Sequence, residues 1–174
     1  MPKITYYVAA SLDGYIADVS GGVDWLPQDE SNDYGYADFY STVDALAMGR
    51  RTYDQVLGFG EWPYAGKRVY VFTSNPPDDD PYRVEFVRAD PTEFVQTLAA
   101  RHSGTVWLVG GGNLADQFRR AGLIDDYLVF VIPVILGRGI PLFDGDAPLT
   151  ALESVTTQTY DDGVVMLHYR PVAG

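Results

Sequence analysis

The run VWLVGGGNLADQF, residues 106–118, limits what this chain can fold into more than any other. A short apolar stretch, Val106 to Val109, stops at Gly110, Gly111 and Gly112, and a helical spacing of apolar residues starts straight after them. Leu114 and Phe118 share one face of that helix, Asn113 stands where an N-cap belongs, and Gly122 stands where the helix would close. A strand is therefore expected to turn directly into a helix. Three adjacent glycines make that turn expensive, since glycine loses more backbone freedom on folding than any other residue. Either the backbone there takes angles that other residues refuse, or something comes close against it.

The rest of the chain repeats the alternation. Segments rich in β-branched and aromatic residues stand at 3–11, 43–49, 68–73, 83–88, 105–110 and 126–136. A further pair, 151–160 and 163–170, is joined by a hairpin-like Asp-Gly. Several of these are apolar on both faces, as strands covered by helices on each side are. The best-marked helix opens at Asp90 as N-cap, with Pro91 at the first position and Glu93 at the third. Its apolar stripe is Phe94, Val95, Leu98 and Ala99. Another helix is expected within DESNDYGYADFYSTV, and SNPPDDDPY (74–82) reads as a surface loop. The whole reads as one α/β domain, residues 1–174. It is expected to have three layers: a central, mostly parallel sheet with an antiparallel C-terminal hairpin, and helices on both faces.

Composition narrows the function. With 47% hydrophobic and 14% aromatic residues, a chain of 174 can bury a sizeable core. A net charge of −12 repels phosphate backbones, which argues against nucleic acid while leaving room for a small phosphorylated ligand at a local cationic site. The longest apolar run, YLVFVIPVIL, is too short for a membrane helix and carries a proline, and the N-terminus lacks a secretory pattern. A cytoplasmic location with no membrane partner is expected. The absence of cysteine excludes disulfides and thiolate metal ligands. His102 and His168 have no partner at metal spacing, so no metal is expected.

Three strand ends carry groups suited to a phosphorylated ligand. A strand that ends in glycines and feeds a helix presents free backbone N–H groups and the positive end of the helix dipole to an anion. The glycines at 110–112 fit that geometry, although a tight strand-to-helix turn with no ligand would account for them equally. ALAMGRRTYDQVL (45–57) repeats the logic, with Gly49 followed by Arg50, Arg51 and Thr52. VFTSN (71–75) ends in Thr73, Ser74 and Asn75, small polar groups suited to an adenosine or its phosphate. Open α/β sheets bind ligands at the carboxyl ends of their strands, so these three ends suggest a nucleotide spread along one sheet edge.

MGRRTY, VFTS and VGGGNLADQF, in this order, resemble the cofactor-binding segments of the dihydrofolate reductase superfamily. AASLDGYIAD, GGVDWL and PVILGRGIPLF narrow the resemblance to the C-terminal reductase domain of the bifunctional riboflavin-biosynthesis deaminase–reductase and its stand-alone relatives. The resemblance runs over nearly the whole chain, and the zinc-ligand pattern of the deaminase half is missing from it. It implies an NADPH-dependent reductase. Gly49, Arg50, Arg51 and Thr52 would hold phosphates, the arginines favouring the 2′-phosphate of NADP. Thr73 and Ser74 would flank the adenosine. Gly110, Gly111 and Gly112, with Val109, Asn113 and Leu114 beside them, would line the pyrophosphate and nicotinamide. Ala9 and Ala10 would lie against the nicotinamide ring. In this superfamily the first Gly–Gly peptide is cis, which here is Gly110–Gly111.

The substrate side is less legible. Hydride transfer to a C=N or C=O bond needs a proton at the other atom, and a carboxylate is a natural donor. By resemblance Asp33 and Asp38 lie in the region of the family's acid, and Asp13 in SLDGY is a third candidate, though each reads equally as a turn or solvated carboxylate. Trp25 is a candidate substrate contact or a loop anchor. Arg138, between two glycines in LGRGI, is a candidate for a ribose phosphate or an exposed bulge residue. The expected substrate is 5-amino-6-(5-phosphoribosylamino)uracil, a dihydropterin or another heterocycle. A nucleotide-binding sensor or scaffold without turnover, and a structural oligomer without nucleotide, remain the other classes. A homodimer is expected from the resemblance, with YLVFVIPVIL as a candidate interface.

Overall fold

The computed structural model describes residues 1–174. Its strands are β1 (Lys3–Ser11), β2 (Tyr15–Ala17), β3 (Val43–Gly49), β4 (Arg68–Phe72), β5 (Glu85–Val87), β6 (Thr105–Gly110), β7 (Asp126–Ile132), β8 (Ile140–Pro141), β9 (Leu152–Thr159) and β10 (Val165–Pro171). Its helices are α1 (Tyr36–Thr42), α2 (Arg50–Leu57), α3 (Pro91–Leu98) and α4 (Gly112–Arg120). Eight strands form one sheet in the order β5-β4-β3-β6-β1-β7-β10-β9, and β2 pairs with β8 in a two-stranded ribbon. The pairs from β5 to β7 are all parallel, and β10 and β9 add an antiparallel hairpin to the β7 side. The carboxyl ends of six strands therefore share one edge.

The strands are covered on both faces, and the period-2 alternation decides which residue meets which layer. Ala45, Ala47, Val106 and Leu108 face one way, into a core with Phe94, Leu98, Leu114 and Phe118 of α3 and α4. Leu46, Met48, Val71 and Trp107 face the other way, against Tyr53 and Val56 of α2, with Phe39 and Tyr40 of α1 packed alongside. Each fully buried Leu, Val, Met or Phe contributes about 1.5–3 kcal/mol. This is the three-layer arrangement expected from the strand–helix alternation.

Local chemistry sets most boundaries. Asp90 caps α3, accepting from the Thr92 and Glu93 amides, with Pro91 as the first helical residue. β7 stops at Ile132 because Pro133 cannot donate to the ladder. β5 begins at Glu85, not at residue 83, since Arg83 takes a left-handed φ of 55° that breaks the extended chain. Asn113 does not cap α4: the N-cap is Gly111, and the Asn113 side chain accepts from Gln117 one turn along. Gly122, at φ 65°, closes that helix as expected. YLVFVIPVIL contributes a strand, β7, hydrogen-bonded to β1 on one side and β10 on the other, so it offers no free edge to a partner. β9 and β5 are the two edges of the sheet, and every residue of β9 is exposed.

The long connection from β7 to β9 runs along α4. Pro141 meets the first turn of the helix, the Asp144 amide donates to the Gly112 carbonyl at 3.2 Å, and the buried Tyr6 hydroxyl donates to the Leu142 carbonyl at 2.9 Å. At the other end of the helix, Arg119 donates to the Pro148 carbonyl (2.9 Å) and to Thr150 Oγ1 (3.1 Å). Buried Asp116 binds Arg119 and Arg120 at 2.8 Å each.

Opposite the carboxyl edge, Asp126 is 1% exposed and receives Lys3, His168 and Arg170. Burial opposes its ionisation, yet the hydrogen bonds from Lys3, His168 and Arg170 outweigh that and hold the carboxyl below its ordinary range. A depressed folded pKa stabilises above the unfolded value, near 4, and that stabilisation disappears as pH falls through the folded value. Asp126→Asn is expected to lose about 2 kcal/mol at pH 7. Urea titrations between pH 7 and 3 should bring the two proteins together as acid is added, and a constant difference would refute the ionic origin.

Candidate functional site

Gly49 ends β3 and Gly110 ends β6, adjacent strands in the sheet, so the turns into α2 and α4 lie side by side at the carboxyl edge. A Cβ built on Gly49 would lie 3.8 Å from the Gly111 amide nitrogen. One built on Gly111 would lie 3.8 Å from Thr52 Oγ1 and 3.9 Å from Ile16 Cδ1. Thr52 on α2 and Ile16 on β2 thus form two walls of a cleft whose third wall is the Gly110–Gly111 backbone. The Gly110–Gly111 peptide is cis.

The three glycines have three different causes. Gly110 has φ 122°, which side chains disfavour. Gly112 has no room, since a Cβ would stand 2.1 Å from the Pro141 carbonyl oxygen. Gly111 has neither constraint. Its φ is −78°, and a Cβ would meet the protein only at ordinary van der Waals distance. Apart from its cis bond to Gly110, neither its φ nor any atom beyond the adjoining residues requires glycine there; what it leaves open is the cleft.

The helices differ in the same way. α3 has Asp90 on its first amides, and α1 has Asp33, which accepts from the Gly35 and Ala37 amides at 3.0 and 3.1 Å. α2 and α4, which open on the cleft, have glycine N-caps and no side-chain acceptor. Their first-turn N–H groups have no side-chain acceptor and lie at the shared carboxyl edge with the positive helix ends, chemistry suited to an anion.

The other candidate cofactor residues lie around this cradle with different freedoms. Arg50 donates through Nε to Asp54 (2.9 Å) and through Nη1 to the Asn75 carbonyl (2.6 Å), tying α2 to the turn after β4. Arg51 is exposed and has no ion-pair partner. The Thr73 hydroxyl accepts from the Asn75 amide at 3.1 Å, and Ser74 is exposed beside it. Val109 and Ala9 are half-buried and Ala10 is buried at the ends of β6 and β1. Leu114 points into the core beneath α4, so only its backbone faces the turn, and Asn113 is exposed with its side chain on Gln117.

The candidate acids are spread apart. Asp33 is exposed, and hydrogen bonds from the Ala37 and Gly35 amides hold its carboxyl below the ordinary range. Asp38 is exposed on the first turn of α1. Asp13 accepts from Ser11 Oγ (2.7 Å) and the Leu136 and Gly137 amides (3.1 and 2.8 Å), and the Ser11 bond first, then those amides, lower its pKa. A general acid needs a pKa near the working pH. As placed, Asp33 and Asp13 accept hydrogen bonds from backbone amides and organise the turns around them. Trp25 donates to the Gly22 carbonyl at 3.3 Å and packs on Phe130, Ile132 and Val164, anchoring its loop. Arg138 is exposed on the loop that Asp13 holds. Sequence reasoning missed Ile16, for which a three-residue strand leaves no periodic signal. It also missed the Arg50–Asp54 pair, which the i,i+4 spacing on α2 signals.

Residues 2–166 match the family described as RibD C-terminal domain. The uncharacterized protein YwjB of Bacillus subtilis (strain 168) is 38% identical over 169 residues, covering 96% of this chain and 97% of that protein. The riboflavin biosynthesis protein RibD of Mycobacterium tuberculosis (strain ATCC 25618 / H37Rv) is 29% identical over 172 residues, which cover 89% of this chain and 46% of RibD. A solved structure from Shewanella sp. PV-4, provisionally assigned to riboflavin biosynthesis, superposes with a TM-score of 0.87 at 29% identity, covering 98% of this chain and 99% of that one.

Proposed function

From the chain's membership of the RibD C-terminal domain family, we propose that it is an NADPH-dependent reductase of a heterocyclic substrate, with 5-amino-6-(5-phosphoribosylamino)uracil as the first compound to try. The observation that carries this reading is Gly111, a glycine that neither backbone angle nor packing requires, set between two helix N-termini without side-chain caps. A dinucleotide's pyrophosphate fits such a cradle: it supplies acceptors for the free amides and needs backbone that no Cβ obstructs. Bound there, a dihydronicotinamide would supply the hydride.

The chain's own residues do the rest. The amides opening α4 and α2 hold the phosphates, and Thr52 adds a hydroxyl. Ala9 and Ala10, at the end of β1 next to β6, give the nicotinamide ring a flat wall without long side chains. Arg51, free of ion-pair partners, would hold the 2′-phosphate, while Arg50 braces the Thr73–Asn75 turn that would flank the adenosine. Isothermal titration should find NADPH bound more tightly than NADH. Arg51→Ala should weaken NADPH by about tenfold or more and NADH little, as loss of one charge-assisted contact would. Arg50→Ala should weaken both cofactors, because it also frees the turn. No binding of either at millimolar concentration would end the reductase reading.

The partner proposed is a second copy of the chain. β9 is an edge strand with Leu152 and Val155 exposed, and unpaired edges of this kind are usually covered. Light scattering should return the mass of two chains; the mass of one would remove the proposal. No helix is long and apolar enough to cross a membrane.

A further inference from the structure

The twelve lysines and arginines of this acidic chain fall into three settings. Lys3 and Arg170 bind buried Asp126, and Arg119 and Arg120 bind buried Asp116. Arg50, Arg51, Arg88 and Arg138 lie on connections that leave the carboxyl edge of the sheet. The other four, Lys67, Arg68, Arg83 and Arg101, gather at the opposite edge, where β4 and β5 begin. A cavity of about 290 Å³ opens there, and Trp62, Lys67, Arg68, Tyr82, Arg83 and Glu85 are among the residues that line it. A second cavity, lined by Arg68, Glu85 and Arg101, shares two of those residues and continues it as a groove.

One part of the groove is aromatic. Trp62 and Tyr82 stack with ring centroids 4.4 Å apart and planes 10° apart. Asp80 places Tyr82, accepting from its amide at 3.3 Å and from the Tyr53 hydroxyl at 3.0 Å. The other part is cationic. Glu85 accepts from Arg68 Nη1 at 2.7 Å and from Arg101 Nη1 at 2.8 Å, which holds two guanidinium groups beside one carboxylate. Each guanidinium carries five N–H donors, and the trio keeps a net positive charge. The Arg68, Arg101 and Glu85 side chains are 63%, 54% and 41% exposed, too open for such pairs to contribute much stability. Arg83 completes the lining with no ion pair or hydrogen bond of its own, and its φ of 55° is one that residues with a side chain disfavour. Glycine would hold that turn more easily, which leaves charge as the reason for an arginine there.

We propose that this groove binds a small anion carrying a planar ring, of the nucleoside monophosphate class. Its phosphate meets Arg68, Arg83 and Arg101, and its base lies against Trp62 and Tyr82. Guanidinium groups take phosphate oxygens in pairs, and any base can stack on an aromatic ring. The volume suits one nucleotide and not a dinucleotide, since cavities for small ligands begin at about 300 Å³. The site lies at the opposite edge of the sheet from the cofactor cleft and does not depend on the reductase reading.

Adenosine 5′-monophosphate is the probe, with adenosine and inorganic phosphate as controls, followed by NMR at the Trp62 indole N–H. Trp25 and Trp107, whose indoles donate to the Gly22 and Tyr7 carbonyls, are internal references, and the Gly111 and Gly112 amides report the cleft. The monophosphate is expected to shift Trp62 and to bind there at least about tenfold more tightly than either control. Arg101→Gln should weaken it by about tenfold, as loss of one charge-assisted contact would. Arg83→Gly should weaken it by a similar factor while leaving the thermal midpoint equal or higher, because glycine relieves the backbone as it removes the cation. A turn residue with no ligand would show only the stability effect. A Trp62 indole unmoved at millimolar monophosphate, a response matched by phosphate or adenosine alone, or an unchanged affinity in both variants would overturn the proposal. The two readings separate. A protein whose Trp62 indole responds while NADPH leaves the Gly111 and Gly112 amides unmoved loses the reductase reading alone. One in which NADPH moves those amides while the monophosphate spares Trp62 loses this proposal alone.

Discussion

Gly112→Ala is expected to lower the thermal unfolding midpoint by roughly 4–8 °C, since a net cost of about 2 kcal/mol shifts a domain of this size by about 2–4 °C per kcal/mol. Its Cβ would stand 2.1 Å from the Pro141 carbonyl oxygen, a backbone atom. Relief requires β8 to leave α4, and the Asp144–Gly112 and Tyr6–Leu142 hydrogen bonds resist that. Overpacking of this kind costs about 1–3 kcal/mol and occasionally more, whereas alanine gains only about 1 kcal/mol over glycine in a helix. The overlap should win. Calorimetry or circular dichroism would decide, and an unchanged midpoint would mean that β8 yields freely.

Gly111→Ala should do the opposite in both respects. The new Cβ meets Thr52 and Ile16 at 3.8 and 3.9 Å, distances the fold tolerates, and φ of −78° suits alanine. Stability should stay within about 0.5 kcal/mol of wild type, as for substitutions that create no clash or cavity. Cofactor affinity should fall by about 30-fold or more, because a methyl group placed where a pyrophosphate must touch backbone costs about 2 kcal/mol or more. Titration with NADPH at matched stability reads this directly. If Gly111→Ala binds as wild type does, the cleft reading loses its main support. Adjacent glycines one residue apart would then fail separately, one in the fold and the other in the ligand.

Much of the framework could be read from residue order. β1, β3 and β6 have the bounds that their apolar, β-branched runs mark out, and Asp90-Pro91 sets the start of α3, because these signals are local. The misses share one cause. β2 and β8 are three and two residues long, too short for any period, and they pair across most of the chain. Asn113 reads as a cap by residue type, yet the glycine turn starts the helix earlier and leaves Asn113 inside the first turn, where its side chain finds Gln117. For the site, the glycine and arginine motifs fall side by side at the carboxyl edge of the parallel strands. Which glycine serves the fold could not be seen, since the Pro141 carbonyl that decides it comes from a distant segment. Asp33 and Asp13 illustrate the same limit: their type suggested acid chemistry, and only the backbone amides around them reveal them as acceptors.

The connection that runs along α4 has a kinetic meaning. It grips that helix near its first residue through Gly112 and near its last through Arg119, so the amides facing the cleft cannot fray while the rest of the helix holds. A ligand arriving there, as the proposed function requires, would meet donors already in their final positions. It need not wait for a segment to order, and it forfeits little of its binding energy to immobilising one. Capture on this side of the cleft then becomes a matter of encounter and orientation, and residence time is left to the contacts the ligand makes once inside.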